Sequence, residues 1–269
     1  MEKIKIVSFN VRTLFSSPVD GACSFIHRAG MILEKIRKEK PHVICFQEVS
    51  DNIRAFLKNY LNDYIVLGHG RLENLTGEAL SVAYRKESME ILFFENFWLS
   101  PTPYVPASRY EIQSEYPRIC THIVLKHNEM NTPISLYNVH LDHISNEARI
   151  LGIHQITDFI ADFKKKMDFP TFILGDFNAT PESETIQYIK KYNDAEFLDL
   201  TEGIGDTFHG FRDSIAPRNS ERPSREIKID YIFADRETAK KSYSVTKWDD
   251  CENGILLSDH YPLCLEIEI

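Results

Sequence analysis

Short runs of β-branched and aromatic residues, each bounded by turn formers, recur from one end of this chain to the other. That recurrence limits its fold more than any other feature. Strands are predicted at Ile4–Val11, Val43–Gln47, Tyr64–Leu67, Ala79–Arg85, Met89–Phe94, Ile119–Lys126, Pro133–Val139, Thr171–Leu174, Lys228–Phe233, Ser242–Thr246 and Leu263–Ile267. Helices are predicted at Phe25–Glu39, with Phe25, Ile26, Ala29, Leu33 and Ile36 apolar, and at Ile53–Tyr60. A third covers Ala148–Lys165, with a broad apolar face from Ile150 to Phe163, and a fourth covers Glu182–Lys191, after Pro181. Many strands with a few amphipathic helices predict sheets packed face to face with helices outside them, an α/β sandwich. There is no repeat, low-complexity tract or Gly/Ser linker. Ser100–Pro106 and Asp213–Arg225 read as surface loops, so residues 1–269 read as one domain.

The strands end oddly. Ile4–Phe9 runs into Asn10, and Val43–Phe46 into Gln47 and Glu48. Ile134–Val139 ends in His140, followed by Asp142 and His143. Phe172–Leu174 ends in Gly175, Asp176 and Asn178, and Ser258-Asp259-His260 precedes the last strand. Each residue alone has an ordinary explanation. Asn10 can cap a turn, Glu48 can open the following helix, His140 can be a core histidine, Asp176 and Asn178 can form an Asx turn, and Asp259 can be a loop acid. Asp230 is harder to dismiss, because a carboxylate between Ile229 and Tyr231 is costly to bury without a partner. A single cause accounts for all of them: strand ends on one edge of the sandwich gather carboxylates, amides and histidines into one cleft. Oxygen donors of this kind suit a hard divalent cation, Mg²⁺ or Mn²⁺. Cys–His spacing for zinc is missing. A divalent ion with histidines suits phosphoester hydrolysis.

Charge narrows the partners. With 31 Lys+Arg against 40 Asp+Glu the net charge is −9, which disfavours a protein built mainly to grip long nucleic acid. No apolar run is long enough to span a bilayer, and the first residues read as a strand and not a signal peptide. Cys23, Cys45, Cys120, Cys251 and Cys264 are an odd number without CxxC spacing. They read as free thiols in a reducing cytosol, which predicts a cytoplasmic location.

Six motifs then appear in order: SFNVR (Ser8–Arg12), CFQEV (Cys45–Val49), NVHLDH (Asn138–His143), LGDFNATP (Leu174–Pro181), KIDYIF (Lys228–Phe233) and SDHYPL (Ser258–Leu263). Through them the chain resembles the endonuclease/exonuclease/phosphatase superfamily, which includes deoxyribonuclease I, abasic-site endonucleases, neutral sphingomyelinases and nocturnin-like deadenylases. FWLSPTP (Phe97–Pro103), PRICTH (Pro117–His122) and DTFHGF (Asp206–Phe211) resemble a bacterial, largely uncharacterised subgroup. The resemblance implies a four-layer sandwich of two mostly antiparallel sheets. It implies that Glu48 is the principal metal carboxylate, that Asn10 holds the ion's water or ligates through its amide oxygen, and that Asp259 completes the site. Asp176 would activate the attacking water, Asn178 would contact phosphate oxygens or a second ion, and His140 would bind phosphate. His260 would bind the scissile phosphate, with Asp230 fixing its orientation and charge. Arg118 falls where deoxyribonuclease-like members place a phosphate-binding arginine. Asp142 and His143 are expected to shape the substrate pocket or a second metal site. Arg149 reads as a solvated helix charge.

The expected activity is thus a Mg²⁺- or Mn²⁺-dependent phosphoesterase using in-line attack of water. Its expected substrate is a small phosphorylated metabolite, a nucleotide or a short oligonucleotide, which fits the acidic charge better than long DNA or RNA. Membrane association of the sphingomyelinase kind would need an exposed apolar element, and Phe93, Phe94, Phe97 and Trp98 read as core instead. No obligate protein partner is indicated. A catalytically silent binding or scaffold module would show a broken motif, and all six are intact.

Overall fold

The computed structural model describes residues 3–191, 197–212, 214–215 and 226–269. Its elements in chain order are β1 (Lys3–Asn10), α1 (Phe25–Glu39), β2 (Val43–Gln47), α2 (Asp51–Tyr60), β3 (Tyr64–Leu67), β4 (Val82–Arg85), β5 (Met89–Trp98), β6 (Ile119–His127) and β7 (Ile134–His140). There follow α3 (Asn146–Lys164), β8 (Thr171–Asp176), α4 (Glu184–Lys191), β9 (Phe197–Asp199), β10 (Asp230–Asp235), α5 (Arg236–Ala239), β11 (Tyr243–Lys247), β12 (Cys251–Glu252), β13 (Ile255–Leu256) and β14 (Leu263–Glu268).

The strands form two six-stranded sheets, ordered β11-β14-β1-β2-β4-β3 and β5-β6-β7-β8-β10-β9, and a small β12-β13 ribbon. Both large sheets are mixed: β1 runs parallel to β2 and β7 parallel to β8, while the other pairs are antiparallel. The period-2 alternation of a strand decides what each residue faces. Ile4, Ile6, Val43, Cys45, Leu136, Phe172, Leu174 and Ile232 pack in the seam between the sheets. Their neighbours Val7, Phe9, Ile44 and Phe46 pack under α1 and α2, and Val139, Ile173 and Phe233 pack with α3 and α4. Both faces of the central strands are therefore buried, which is why they read as near-continuous apolar runs. The result is the four-layer sandwich.

Several boundaries differ from the sequence reading. The strand expected at Ala79–Arg85 begins at Val82, because Ala79 forms isolated bridges to Val49 and Gly70 instead. The strand expected to end at Phe94 continues to Trp98 past a bulge between Ile91 and Phe93. Phe97 and Trp98 are buried, as expected, but Phe93 is 36% exposed. The fourth helix begins at Glu184, two residues later than expected, where the Ser183 hydroxyl accepts from Ile186 N. Most of the expected loop Asp213–Arg225 lies outside the described residues. None of the five cysteines forms a disulfide, and only Cys251 is exposed. Among the described residues no helix is long and apolar enough to cross a membrane.

One backbone position has no tolerance. Gly175 sits in β8 at φ +140°, and a Cβ there would lie 2.0 Å from Val139 O on the neighbouring strand. Gly175→Ala is expected to lower the unfolding free energy by on the order of 3 kcal/mol or more. Urea denaturation checks this. An unchanged midpoint would show that β7 and β8 can separate at no cost.

Candidate active site

The alternation that builds the seam also builds the site. In β1 the seam-facing series Ile4, Ile6, Ser8 ends in Asn10. In β7 the series Ile134, Leu136, Asn138 ends in His140, in β8 Phe172 and Leu174 lead to Asp176, and in β10 Ile232 leads back to Asp230. Strand register then aligns three of these heads, with His140 beside Asp176 across the parallel pair and Asp176 beside Asp230 across the antiparallel pair. A polar layer separates the heads from the apolar seam: Gln47 Nε2 donates to Asn138 Oδ1 at 2.8 Å, and Asn138 Nδ2 donates to Phe46 O at 3.0 Å.

Glu48, Asp176 and His260 each offer an atom within 4.8 Å of the others. Asn10 Nδ2 donates to Glu48 Oε1 and to Asp176 Oδ2, both at 3.0 Å. Its amide oxygen accepts from Arg12 N at 3.0 Å, which fixes which end of the amide faces the carboxylates. Asn10 Nδ2 thus sits as a donor between two acids, while its oxygen is held by the Arg12 amide. Glu48 has φ +61° and precedes α2, so it does not open that helix. This left-handed turn aims its carboxylate into the cleft, where Oε2 accepts from Thr13 N at 2.9 Å.

Asp176 Oδ1 accepts from Asn178 N at 2.8 Å, so the Asx turn exists, with Asn178 at φ +49°. The turn and the site are one feature, because Asn178 also lines the cleft. Phe177 between them is fully buried against Tyr231 and Phe233 and holds the pair in place. Burial first, and then the facing Asp230, push the Asp176 carboxyl up to about 7.

His260 Nδ1 lies 2.9 Å from Asp230 Oδ2. Thr207 Oγ1 donates to the same oxygen at 2.7 Å, so Asp230 is both paired and satisfied. Burial opposes charge on His260, but Asp230, Asp176 and Asp259 outweigh it and raise the imidazole to about 10. His260 is thus a charged donor at neutral pH, and its Nε2, 3.8 Å from Asp176 Oδ2, suits an anion better than a cation. His140, 3.5 Å from Asp176, differs in charge, because burial and Arg118 keep its ring neutral.

This arrangement makes a pH prediction. The folded His260 titrates above its unfolded value of about 6.5, so its contribution to stability is complete below about 6.5 and is lost as pH rises through about 10. Wild-type thermal midpoints in chelator should fall across that alkaline range. Asp230→Asn should be less stable at neutral pH and show a flatter profile. Parallel profiles would contradict the pairing.

Asp259 lines the same cleft, with Ser258 Oγ donating to Oδ1 at 3.1 Å and Arg12 Nε 3.6 Å from Oδ2. Arg118 and His143 also line it, Arg118 Nη2 lying 3.0 Å from His143 Nδ1. Asp142 does not join them. Its Oδ1 accepts from Ile144 N at 2.9 Å and Ser145 N at 2.7 Å, and its Oδ2 accepts from the Ser114 amide at 3.1 Å and from the Ser114 hydroxyl. With its acceptors taken, Asp142 pins one loop to another and is not placed as a substrate or metal group. Arg149 is not a solvated helix charge, because it is half-buried and its Nη1 donates to Asp142 O at 2.8 Å.

The cleft has a volume of about 310 Å³. It contains groups that strand ends did not announce. Arg12 pairs with Asp20 at 3.2 Å. Arg71 pairs with Glu78 at 2.9 Å and lies 4.9 Å from the Tyr116 ring centre. These sit on loops, where no periodicity marks them. Gly70, just before Arg71, would place a Cβ 2.0 Å from Thr76 O, so glycine is required to close this loop.

The chain belongs to the Endonuclease/Exonuclease/phosphatase family, whose profile matches residues 7–260. Members of this family are hydrolases acting on phosphoester bonds. A solved member from Bacteroides vulgatus is 25% identical, with a TM-score of 0.86 and 100% of each chain covered. The mannosyl-6-phosphatase of Bacteroides thetaiotaomicron is 21% identical, with a TM-score of 0.82 over 99% of this chain and 100% of that one. The D. rerio protein TDP2, solved with a single-strand DNA product, shares the fold at 14% identity, with a TM-score of 0.73 and 100% of each chain covered.

Proposed function

We propose that this protein is a Mg²⁺- or Mn²⁺-dependent phosphoesterase that hydrolyses its substrate by in-line attack of water. One observation carries the reading: Glu48, Asp176 and His260 converge to within 4.8 Å in a cleft that His140 and Asn178 also line. The oxygen donors there are carboxylates and amides, and no thiolate lines the cleft among the described residues, which fits a hard divalent cation. Glu48 would be its principal carboxylate, with Asn10 and Asp259 completing its surroundings. When bound, such an ion neutralises phosphate charge and stabilises the transition state.

The chain's own residues supply the rest. Asp176 accepts the proton of the attacking water as the new O–P bond forms and the ester P–O bond breaks. A carboxyl raised to about 7 is suited to exchange that proton near neutral pH. His260, held charged by Asp230, donates to the phosphoryl oxygen on which charge develops. His140 and Asn178 position the phosphate, and Asn178 Nδ2, donating to Leu141 O at 3.1 Å, is itself held in place.

A net charge of −9 and a cleft of about 310 Å³ favour a small phosphorylated molecule, a nucleotide or a short oligonucleotide over long nucleic acid. Its structural relatives include a mannosyl-6-phosphatase and a protein solved with a single-strand DNA product. The whole chain would act as one domain, and its cysteines without disulfides suit the cytoplasm. A panel of sugar phosphates, nucleotides and oligonucleotides, assayed with Mg²⁺, with Mn²⁺ and with chelator, tests the reading. Cation-dependent release from the small substrates is expected. Turnover unaffected by chelator, or confined to long DNA or RNA, would contradict it.

A further inference from the structure

We infer that the inner end of the cleft is a pocket for an unesterified phosphoryl oxygen, formed by Arg71 and Arg118, and that it selects phosphomonoesters over diesters. The inference rests on the phosphoesterase reading above and names its substrate class.

Two arginines are nearly sealed at this end, Arg71 at 7% exposure and Arg118 at 4%. Two carboxylates line this end: Glu78, which makes an ion pair with Arg71, and Glu48, which would serve the cation. Arg118 touches the ring nitrogen of His143, and its Nε and Nη1 are shielded from water without a hydrogen-bond partner among the described residues. Guanidinium donors are rarely buried without acceptors, because the lost hydration is not replaced. The orientation of Arg118 suits acceptors brought by a ligand.

The space beyond them is small. A chamber of about 10 Å³ lies against Arg71, Arg118, Leu80 and Ile119. That volume admits one oxygen-sized group and no carbon chain. Glu48 and His140 line both this chamber and the open cleft. A phosphoryl group seated beside Glu48 and His140 would therefore direct one free oxygen inward and its ester outward. A monoester offers three free oxygens and a second negative charge, whereas a diester offers two oxygens and one charge. With the Glu48 charge answered by the cation, two guanidinium groups face one remaining carboxylate, Glu78, which favours the former.

The test uses the full chain stripped with chelator and reloaded with Mn²⁺. Values of kcat/KM for p-nitrophenyl phosphate and bis-p-nitrophenyl phosphate are compared in wild type, Arg118→Gln and Arg71→Gln. Orthophosphate binding is measured by calorimetry on the same samples. Wild type should prefer the monoester by about tenfold or more and bind orthophosphate. Each variant should lose about 10- to 100-fold on the monoester, mainly through KM, with weakened orthophosphate binding and little change on the diester. Arg71→Gln decides the matter if Arg118→Gln fails to fold. A wild-type preference for the diester, or equal losses on both substrates, would overturn the pocket. Hydrolysis of neither substrate would count against the phosphoesterase reading instead. The pocket would then be upheld by orthophosphate binding that the variants weaken, and rejected if binding is absent or unchanged.

Discussion

Asp176→Asn is expected to lower kcat/KM by about a hundredfold to ten-thousandfold while leaving the fold intact, the range associated with loss of a positioned general base. Asparagine keeps an oxygen for the Asn178 amide, the contact that shapes the turn. It removes a buried carboxylate that faces Asp230 across the strand pair and shares Asn10 with Glu48. Burial and Asp230 already raise that carboxyl to about 7, so its charge is a burden on the folded state. The thermal midpoint should be unchanged or higher. Steady-state kinetics beside a melting curve check both halves. Wild-type turnover in the variant would remove Asp176 from its proposed role, and a loss of activity accompanied by unfolding would make that role structural.

Arg28→Met should have a large effect on stability. Arg28 is fully buried in α1, yet among the described residues no carboxylate forms an ion pair with it. Its guanidinium donates to Cys23 O at 2.6 Å, to Val11 O at 2.9 Å and to Leu257 O, and it lies between the Phe25 and Phe211 rings. Methionine fills part of the space and leaves three buried carbonyls without donors. At about 1 kcal/mol or more for each, a loss of about 3 kcal/mol or more is expected in urea denaturation. Activity should fall as well. Val11 follows Asn10, and Leu257 precedes Ser258-Asp259-His260, so Arg28 ties together the two segments that frame the Glu48 side of the cleft. Undiminished stability would mean that water reaches those carbonyls.

These two residues show which parts of the site were legible in the sequence. Asp176 stood out because a strand buried on both faces is a long apolar run, and a charged head at its end is visible. The same signal exposed Asn10, Glu48, His140, Asp230 and His260, and six motifs in order carried the fold. Arg28 gave no such signal. Within an amphipathic helix it looks like one more solvated cation, and the periodicity there also misassigned Ile26, which is 49% exposed while Ile32 is fully buried. Asp142 shows the reverse error. An acid that satisfies turn amides and an acid that faces a substrate have the same sequence context, and only the donors around it separate them. Arg71, Glu78 and Tyr116 meet through loop closure, which no short-range pattern encodes. The three-residue strand β9 is too short to show alternation at all.

A divalent cation held at Glu48 would serve phosphoester hydrolysis in this cleft. The most direct test is one assay: chelator-treated wild type and Glu48→Ala, each given the same phosphoester and titrated with Mn²⁺. Glu48 Oε1 meets Asn10 beside Asp176 while Oε2 is held by Thr13 N, so wild-type activity should rise from near zero to saturation and the variant should stay flat or need far more cation. Matching titration curves, or wild-type hydrolysis that needs no cation, would contradict it.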